Sequence, residues 1–427
     1  MRVNIHKLVD VLILGMVALL THQSIFLCYR GLTLGSGLGC RYGSASGQLG
    51  VLAGMVLIAF WLLRLRDEER RFFLVCRRNW LIFLFVGIGL LSLTWTAFFP
   101  ATIYRSLLML LLTLLAAYLG IRISARDLVI FIAVTIGVFA LASLLLGIFL
   151  PQLAIMTNHP YEGLWRGIFW HKIYLGATMA LGYIAYLVIL FSPGREYVLV
   201  QKILAGILLV VCVVLAILSD SASGLVVLAL QSGLFILLAA WLAWGGRMPR
   251  YAYWVLGGCA AVGLLLLLTN LGFVFGIFNR SASMTGRLPM WLHVWETYIV
   301  ERPLFGYGFG AFWLQPGINE KIQSVVGWTY PVRVSDDGYL DVMLGLGIVG
   351  LFLLLAILAL AFRRTLPRAI QARQLTAFFP VLVLMHVVFI NISLSYIVEI
   401  ESFIWFLLAL ILFMHSHDRF EKTSKDP

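Results

Sequence analysis

Apolar runs long enough to cross a bilayer follow one another down most of this chain, and only one long polar stretch interrupts them. A membrane-crossing helix needs about 20 mostly apolar residues, and such runs fall at roughly 8–28, 48–64, 79–98, 102–121, 128–150, 172–191, 200–219, 223–244, 252–275, 338–362, 375–392 and 397–414. Soluble domains carry about 25% charged residues. Here 12% of 427 residues are charged and 62% are hydrophobic. The chain therefore reads as an all-α polytopic membrane protein with about twelve transmembrane helices, one integral membrane domain over residues 1–427. The first run follows Arg2 and Lys7 as a signal peptide would, but it lacks a small-residue cleavage site and is read as a retained helix.

Lys and Arg set the orientation, since they concentrate in cytoplasmic segments. Of the 31 basic residues, 21 lie in the termini and in the loops after even-numbered spans, with Arg64–Arg78 and Arg363–Arg373 the heaviest. Both termini are thus expected to be cytoplasmic. The long interruption, Asn279–Asp341, then faces outward, with residues 276–337 as one large external loop between the ninth and tenth helices. The net charge of +12 is spread between apolar runs, so topology explains it better than nucleic acid does. The five cysteines show no metal spacing; Cys28 and Cys40 are either a pair or two free thiols. His415 and His417 have no further ligands near them in sequence.

The ten outward basic residues oppose the usual bias and call for a reason. They are Arg30, Arg41, Arg105, Arg166, Lys172, Arg280, Arg287, Arg302, Lys321 and Arg333. Solvated or snorkelling side chains are one reading. The other is an anionic ligand at the outer membrane face, such as a lipid diphosphate, which arginine binds through paired N–H donors.

Four stretches carry these residues. They are Leu91–Trp95 with Pro100 and Arg105; Trp165-Arg-Gly-Ile-Phe-Trp-His-Lys172; Thr285-Gly-Arg287 with Trp291 and the Pro303–Gly310 segment; and Ser335-Asp-Asp-Gly-Tyr-Leu-Asp341 with Gly345–Leu351. Their order and topological side resemble the O-antigen ligase and polysaccharide polymerase superfamily, the second and fourth most resembling its exopolysaccharide polymerase branch. The resemblance implies a glycosyltransferase without metal or cofactor. Its donor is a glycan on undecaprenyl diphosphate, and its acceptor is a further glycan or lipid A-core at the periplasmic face of the bacterial inner membrane. Other polysaccharide-assembly proteins are further partners such a role implies.

Departure of a lipid diphosphate builds negative charge, which fixed cations stabilise. Arg287 is the first choice, with Arg166, Arg105, Lys172 and Arg280 as further diphosphate contacts and Arg333 in a secondary role. The attacking hydroxyl needs a proton acceptor. The family keeps a histidine before its Asn/Asp-Gly-Tyr-Leu unit, where this chain has Asp336. An ordinary aspartate is a weak base at neutral pH. His171, Asp337 and Asp341 are secondary candidates, although Asp337 also suits a helix N-cap. Asp220 stands where the family often has a basic residue, and Ile173 where it has an asparagine. Trp291, Trp295 and Tyr298 are expected on one interfacial helix face. Tyr307, Phe309 and Trp313 are expected to be seated by the glycines as sugar platforms or membrane anchors. His386 is expected to be a satisfied buried histidine.

Repeat-unit polymerisation is the leading expectation, ligation to lipid A-core the alternative, and a lipid-linked sugar flippase the reading from another class. A flippase would line its interior with charge through both leaflets.

Overall fold

The computed structural model describes residues 45–64, 69–157, 161–244, 287–327, 334–397 and 402–414, with residues 15, 17, 332 and 416. Thirteen helices of eight or more residues are present among them: α1 (Ala45–Arg64), α2 (Glu69–Arg78), α3 (Trp80–Leu91), α4 (Phe99–Gly120), α5 (Ala125–Phe149), α6 (Lys172–Phe191), α7 (Leu199–Leu218), α8 (Ala222–Ala243), α9 (Arg287–Val294), α10 (Ile318–Val326), α11 (Gly338–Ala372), α12 (Leu375–Ile390) and α13 (Phe403–Met414). The expected ninth span, and all of the first except Gly15 and Val17, lie outside the described residues. Each of the other ten positions contains a helix among the described residues. Among the described residues, six helices are long and apolar enough to cross a membrane, or seven if the bent pair α2–α3 counts as one.

Surface composition supports the membrane reading. On α7, Leu199, Ile203, Ile207, Val210, Val214 and Ile217 are all exposed. Their spacing of three and four residues makes an apolar stripe on the outside, the reverse of a soluble amphipathic helix. α6 sits at the centre, packed on α5, α7, α8 and α12. Its small residues allow this: a Cβ on Gly224 of α8 would lie 2.6 Å from the Gly176 backbone of α6. Close backbone approach through small residues is how membrane helices pack without a hydrophobic drive.

Two elements differ from the sequence expectation. α3 ends in a 3-10 turn, Ser92–Thr94, and is bent 75° from α2. α11 runs on to Ala372 and is broken at Gly347 (φ +67). In an unbroken helix, the N–H groups of Ile348 and Val349 would bond the carbonyls of Leu344 and Gly345. Here the loop after α9 takes all four groups. Ile348 N donates to Pro303 O (2.8 Å), Val349 N to Leu304 O (3.4 Å), Tyr307 N to Leu344 O (2.9 Å) and Gly308 N to Gly345 O (3.0 Å). The two glycine-rich stretches of the sequence are thus the two halves of one joint.

That joint anchors the described part of the interruption. α9, a π turn at Trp295–Ile299, the Pro303–Gly310 loop and α10 enclose a small apolar core of their own. Met290, Val294, Tyr298, Phe312, Ile318 and Ile322 pack there against Met343 and Leu344 of α11.

Candidate functional site

The N-terminal end of α11 organises the site. Gly338 N donates to Asn391 O at the end of α12 (2.8 Å), and Tyr339 Oη donates to Val388 O (3.1 Å). Asn391 is itself buried, and its Oδ1 accepts from Ile397 N (2.8 Å). A rigid helix end therefore presents the Ser335–Asp337 turn.

Each residue of that turn has a distinct role. Asp337 caps α11: its Oδ1 accepts from Tyr339 N (2.8 Å) and Leu340 N (2.9 Å). Burial pushes its carboxyl above the usual carboxylate range, and these two backbone bonds oppose the rise. Ser335 O accepts from Trp291 Nε1 (2.7 Å), tying the turn to α9. Asp336 takes a left-handed backbone, φ +55, which Asp tolerates better than most residues. That twist directs its carboxylate to Arg287, the first residue of α9. Arg287 Nη2 lies 2.9 Å and Nε 3.0 Å from Asp336 Oδ2. The expected base and the expected diphosphate anchor are therefore one ion pair, with side chains 23% and 18% exposed.

Asp341 lies beneath the turn and is buried. Among the described residues its partners are neutral donors rather than an arginine: it accepts from Trp313 Nε1 (2.8 Å) and Ser335 N (3.3 Å to each oxygen). Trp313 follows the loop that holds Arg105. Arg105 Nη1 donates to Gly310 O (2.7 Å), and Phe309 N donates to Ser92 Oγ (3.0 Å). Arg105 and Arg287 are thus linked by alternating contacts and chain: Arg105 bonds Gly310, three residues before Trp313, which bonds Asp341, which bonds Ser335, next to the Asp336 that pairs with Arg287.

Arg166, His171 and Lys172 form a second group. Arg166 Nε donates to Leu153 O (3.1 Å). His171 is the N-cap of α6, its ring nitrogen accepting from Ile173 N (3.4 Å). Lys172 is buried and donates to Asp220 O (2.7 Å), with Asp220 Oδ2 at 3.3 Å. Asp220, expected to oppose an anion, instead neutralises this amine. The Tyr174 and Tyr396 rings, 5.2 Å apart, join α6 to the segment after α12, so both groups occupy the same end of the bundle. Arg280 and Arg333 lie outside the described residues, as do Arg30, Arg41, Cys28, Cys40, His415 and His417.

Two aromatic expectations are corrected. Trp295 is exposed while Tyr298 is buried, because the π turn changes the register between them. Tyr307 and Phe309 are buried and serve the joint rather than a ligand; Tyr307 Oη bonds Glu301 Oε2 at 3.0 Å. His386 is satisfied by Gln231, at 3.0 Å, as expected. The roles of Trp313 and Asn391 escaped the sequence reading, since each depends on a partner many residues away.

Residues 207–355 match the family model for O-antigen ligase. The match supports the resemblance to the O-antigen ligase and polysaccharide polymerase superfamily. The matched O-antigen ligase region runs from within α7 to just past the break in α11. It contains Arg287 and the whole Ser335–Asp341 turn, and leaves Arg105 and Arg166 outside. No curated protein matches the chain. The match supports a ligase- or polymerase-type glycosyltransferase in general, and the candidate spans point to a multi-pass membrane protein.

Proposed function

We propose that this protein transfers a glycan from undecaprenyl diphosphate to an acceptor hydroxyl at the periplasmic face of the inner membrane, polymerising repeat units of an exopolysaccharide or O-antigen. The observation that carries this reading is the Arg287–Asp336 pair inside the region matched to the family. The acceptor oxygen attacks the anomeric carbon and the bond from that carbon to the diphosphate oxygen breaks. The diphosphate leaves with the bonding electrons, and the acceptor's proton passes to the Asp336 carboxylate. Attack opposite the leaving group inverts the anomeric configuration.

Arg287 faces the departing diphosphate and stabilises its growing charge, with Arg105, Arg166, Lys172, Arg280 and Arg333 as further contacts. His171, Asp337 and Asp341 remain secondary proton-transfer candidates; the capping bonds of Asp337 and the burial of Asp341 favour supporting roles.

Ligation to lipid A-core is the second reading, favoured by the description of the matched family. A flippase is disfavoured. Among the described residues, the only buried Lys, Arg, Asp or Glu are Lys172 and Asp341, each in the first turn of its helix at the same end of the bundle.

The lipid-linked glycans of a deletion strain test the reading. Accumulated single repeat units support polymerisation, and accumulated long lipid-linked chains support ligation. An unchanged profile overturns both.

A further inference from the structure

The opposite end of the bundle holds a basic cluster that the proposed transfer reaction does not use. Asn79, at the bend between α2 and α3, is fully buried there. Its Nδ2 donates to Val75 O (2.7 Å) and Ser416 Oγ (2.9 Å). Arg364, from the far end of α11, donates to Asn79 Oδ1, to Ser416 Oγ (2.9 Å) and to Arg78 O (3.2 Å). All these acceptors are neutral. Three positive side chains, Arg78, Arg363 and Arg368, stand close enough to repel the Arg364 guanidinium. Like charges gathered at a low-dielectric rim are unfavourable unless an anion joins them.

The surroundings point to the source of that anion. α2 is short, with Phe72 and Val75 buried and Arg70, Arg71, Arg77 and Arg78 exposed. Its arginines recur seven residues apart and so share one face. The helix turns 75° away from α3, as a helix lying along a membrane surface would. Trp61, Phe73 and Trp80 are exposed around it, and the Phe60 and Phe72 rings, 5.2 Å apart, bring the end of α1 to the same place. Exposed aromatic rings beside arginines mark the headgroup level of a bilayer. Basic clusters at that level recognise anionic lipid headgroups.

We propose that α2, the end of α11 and the Asn79 bend form a binding site for the phosphate diester of an anionic phospholipid, with Arg364 held by Asn79 and Ser416 as its fixed donor. The aromatic side chains would flank the acyl chains, and the exposed arginines would set the preference for negative charge.

Native mass spectrometry of the full-length protein with added phosphatidylglycerol or phosphatidylcholine tests this. The protein should retain phosphatidylglycerol preferentially. Arg363→Gln and Arg77→Gln remove exposed side chains and spare the buried network. Each should weaken phosphatidylglycerol binding about fivefold. Arg195→Gln makes the same charge change in the loop between α6 and α7 and should leave binding unchanged. Equal retention of the two lipids overturns the proposal, as does an Arg195→Gln effect as large as that of Arg363→Gln. Displacement of phosphatidylglycerol by millimolar inorganic phosphate would overturn the lipid assignment and indicate a free-anion site.

Discussion

Arg287 and Asp336, 49 positions apart, meet at a single carboxylate oxygen: Arg287 Nε lies 3.0 Å and Nη2 2.9 Å from Asp336 Oδ2. Two residues expected to serve opposite ends of one reaction are thus in direct contact. In the proposed reaction, a diphosphate reaching Arg287 would compete with Asp336 for the same donors. Donor binding would then release the carboxylate that the acceptor hydroxyl needs.

Asparagine at position 336 separates the two roles. Asn also tolerates the left-handed backbone and keeps a hydrogen-bond acceptor for Arg287, yet it cannot take a proton. Asp336→Asn should lose about 10²–10⁴-fold in product formation at normal protein level if the carboxylate is the base. Full activity would show that Asp336 only positions Arg287. Arg287→Ala should reduce turnover by about 10²–10³-fold, as loss of one fixed charge-stabilising donor does. Unchanged donor affinity and turnover would refute the diphosphate role.

The joint between the Pro303–Gly310 loop and α11 makes a different kind of prediction. A Cβ on Gly306, where φ is +62, would come within 2.6 Å of Leu344 O. Gly347 combines φ +67 with ψ −165, a region that essentially only glycine occupies, so another residue there is strained by about 1–3 kcal/mol. Gly306→Ala and Gly347→Ala should lower the melting temperature and abolish product, although every proposed catalytic side chain remains. Alanine variants with normal melting behaviour and full activity would show that the joint is dispensable.

Hydrophobic run length located the described membrane helices because lipid demands that length whatever the packing. Ser335–Asp341 also stood out, since its carboxylates interrupt an apolar chain at a helix start. Other features depended on tertiary contacts. The break at Gly347 is stabilised by a loop some forty residues upstream in the chain, so the α11 sequence alone reads as one helix. Trp295 and Tyr298 parted because one π turn changed their register. The pairing of Lys172 with Asp220 rests on the fold that brings two helix ends together.

That pairing separates a supporting role for Lys172 from a substrate-binding one. The amine is buried, whereas the Asp220 side chain is 49% exposed. Lys172→Ala should lower the melting temperature clearly, because it removes the donor to Asp220 O at 2.7 Å. Asp220→Asn should be milder, since the same carbonyl remains. A rise in donor KM with unchanged thermal stability in Lys172→Ala would instead place the amine on the diphosphate.

Asp337 links capping to pH. Its folded carboxyl is raised above the ordinary value of 3.8 by burial, so the folded state holds the proton more tightly than the unfolded chain. Its contribution to stability is therefore fully present below pH 3.8 and is lost as pH rises through the raised folded value. Asp337→Asn keeps a good N-cap for Tyr339 and Leu340 without the buried charge. It should match or exceed the wild type in stability at neutral pH and lack this component of the acid-side pH dependence. Asp337→Ala should lose about 1 kcal/mol from the missing cap. Thermal melts across the acid range, paired with product assays, check both outcomes. An active, stable Asp337→Asn protein supports capping, whereas a stable but inactive one would move Asp337 into the proton-transfer chemistry.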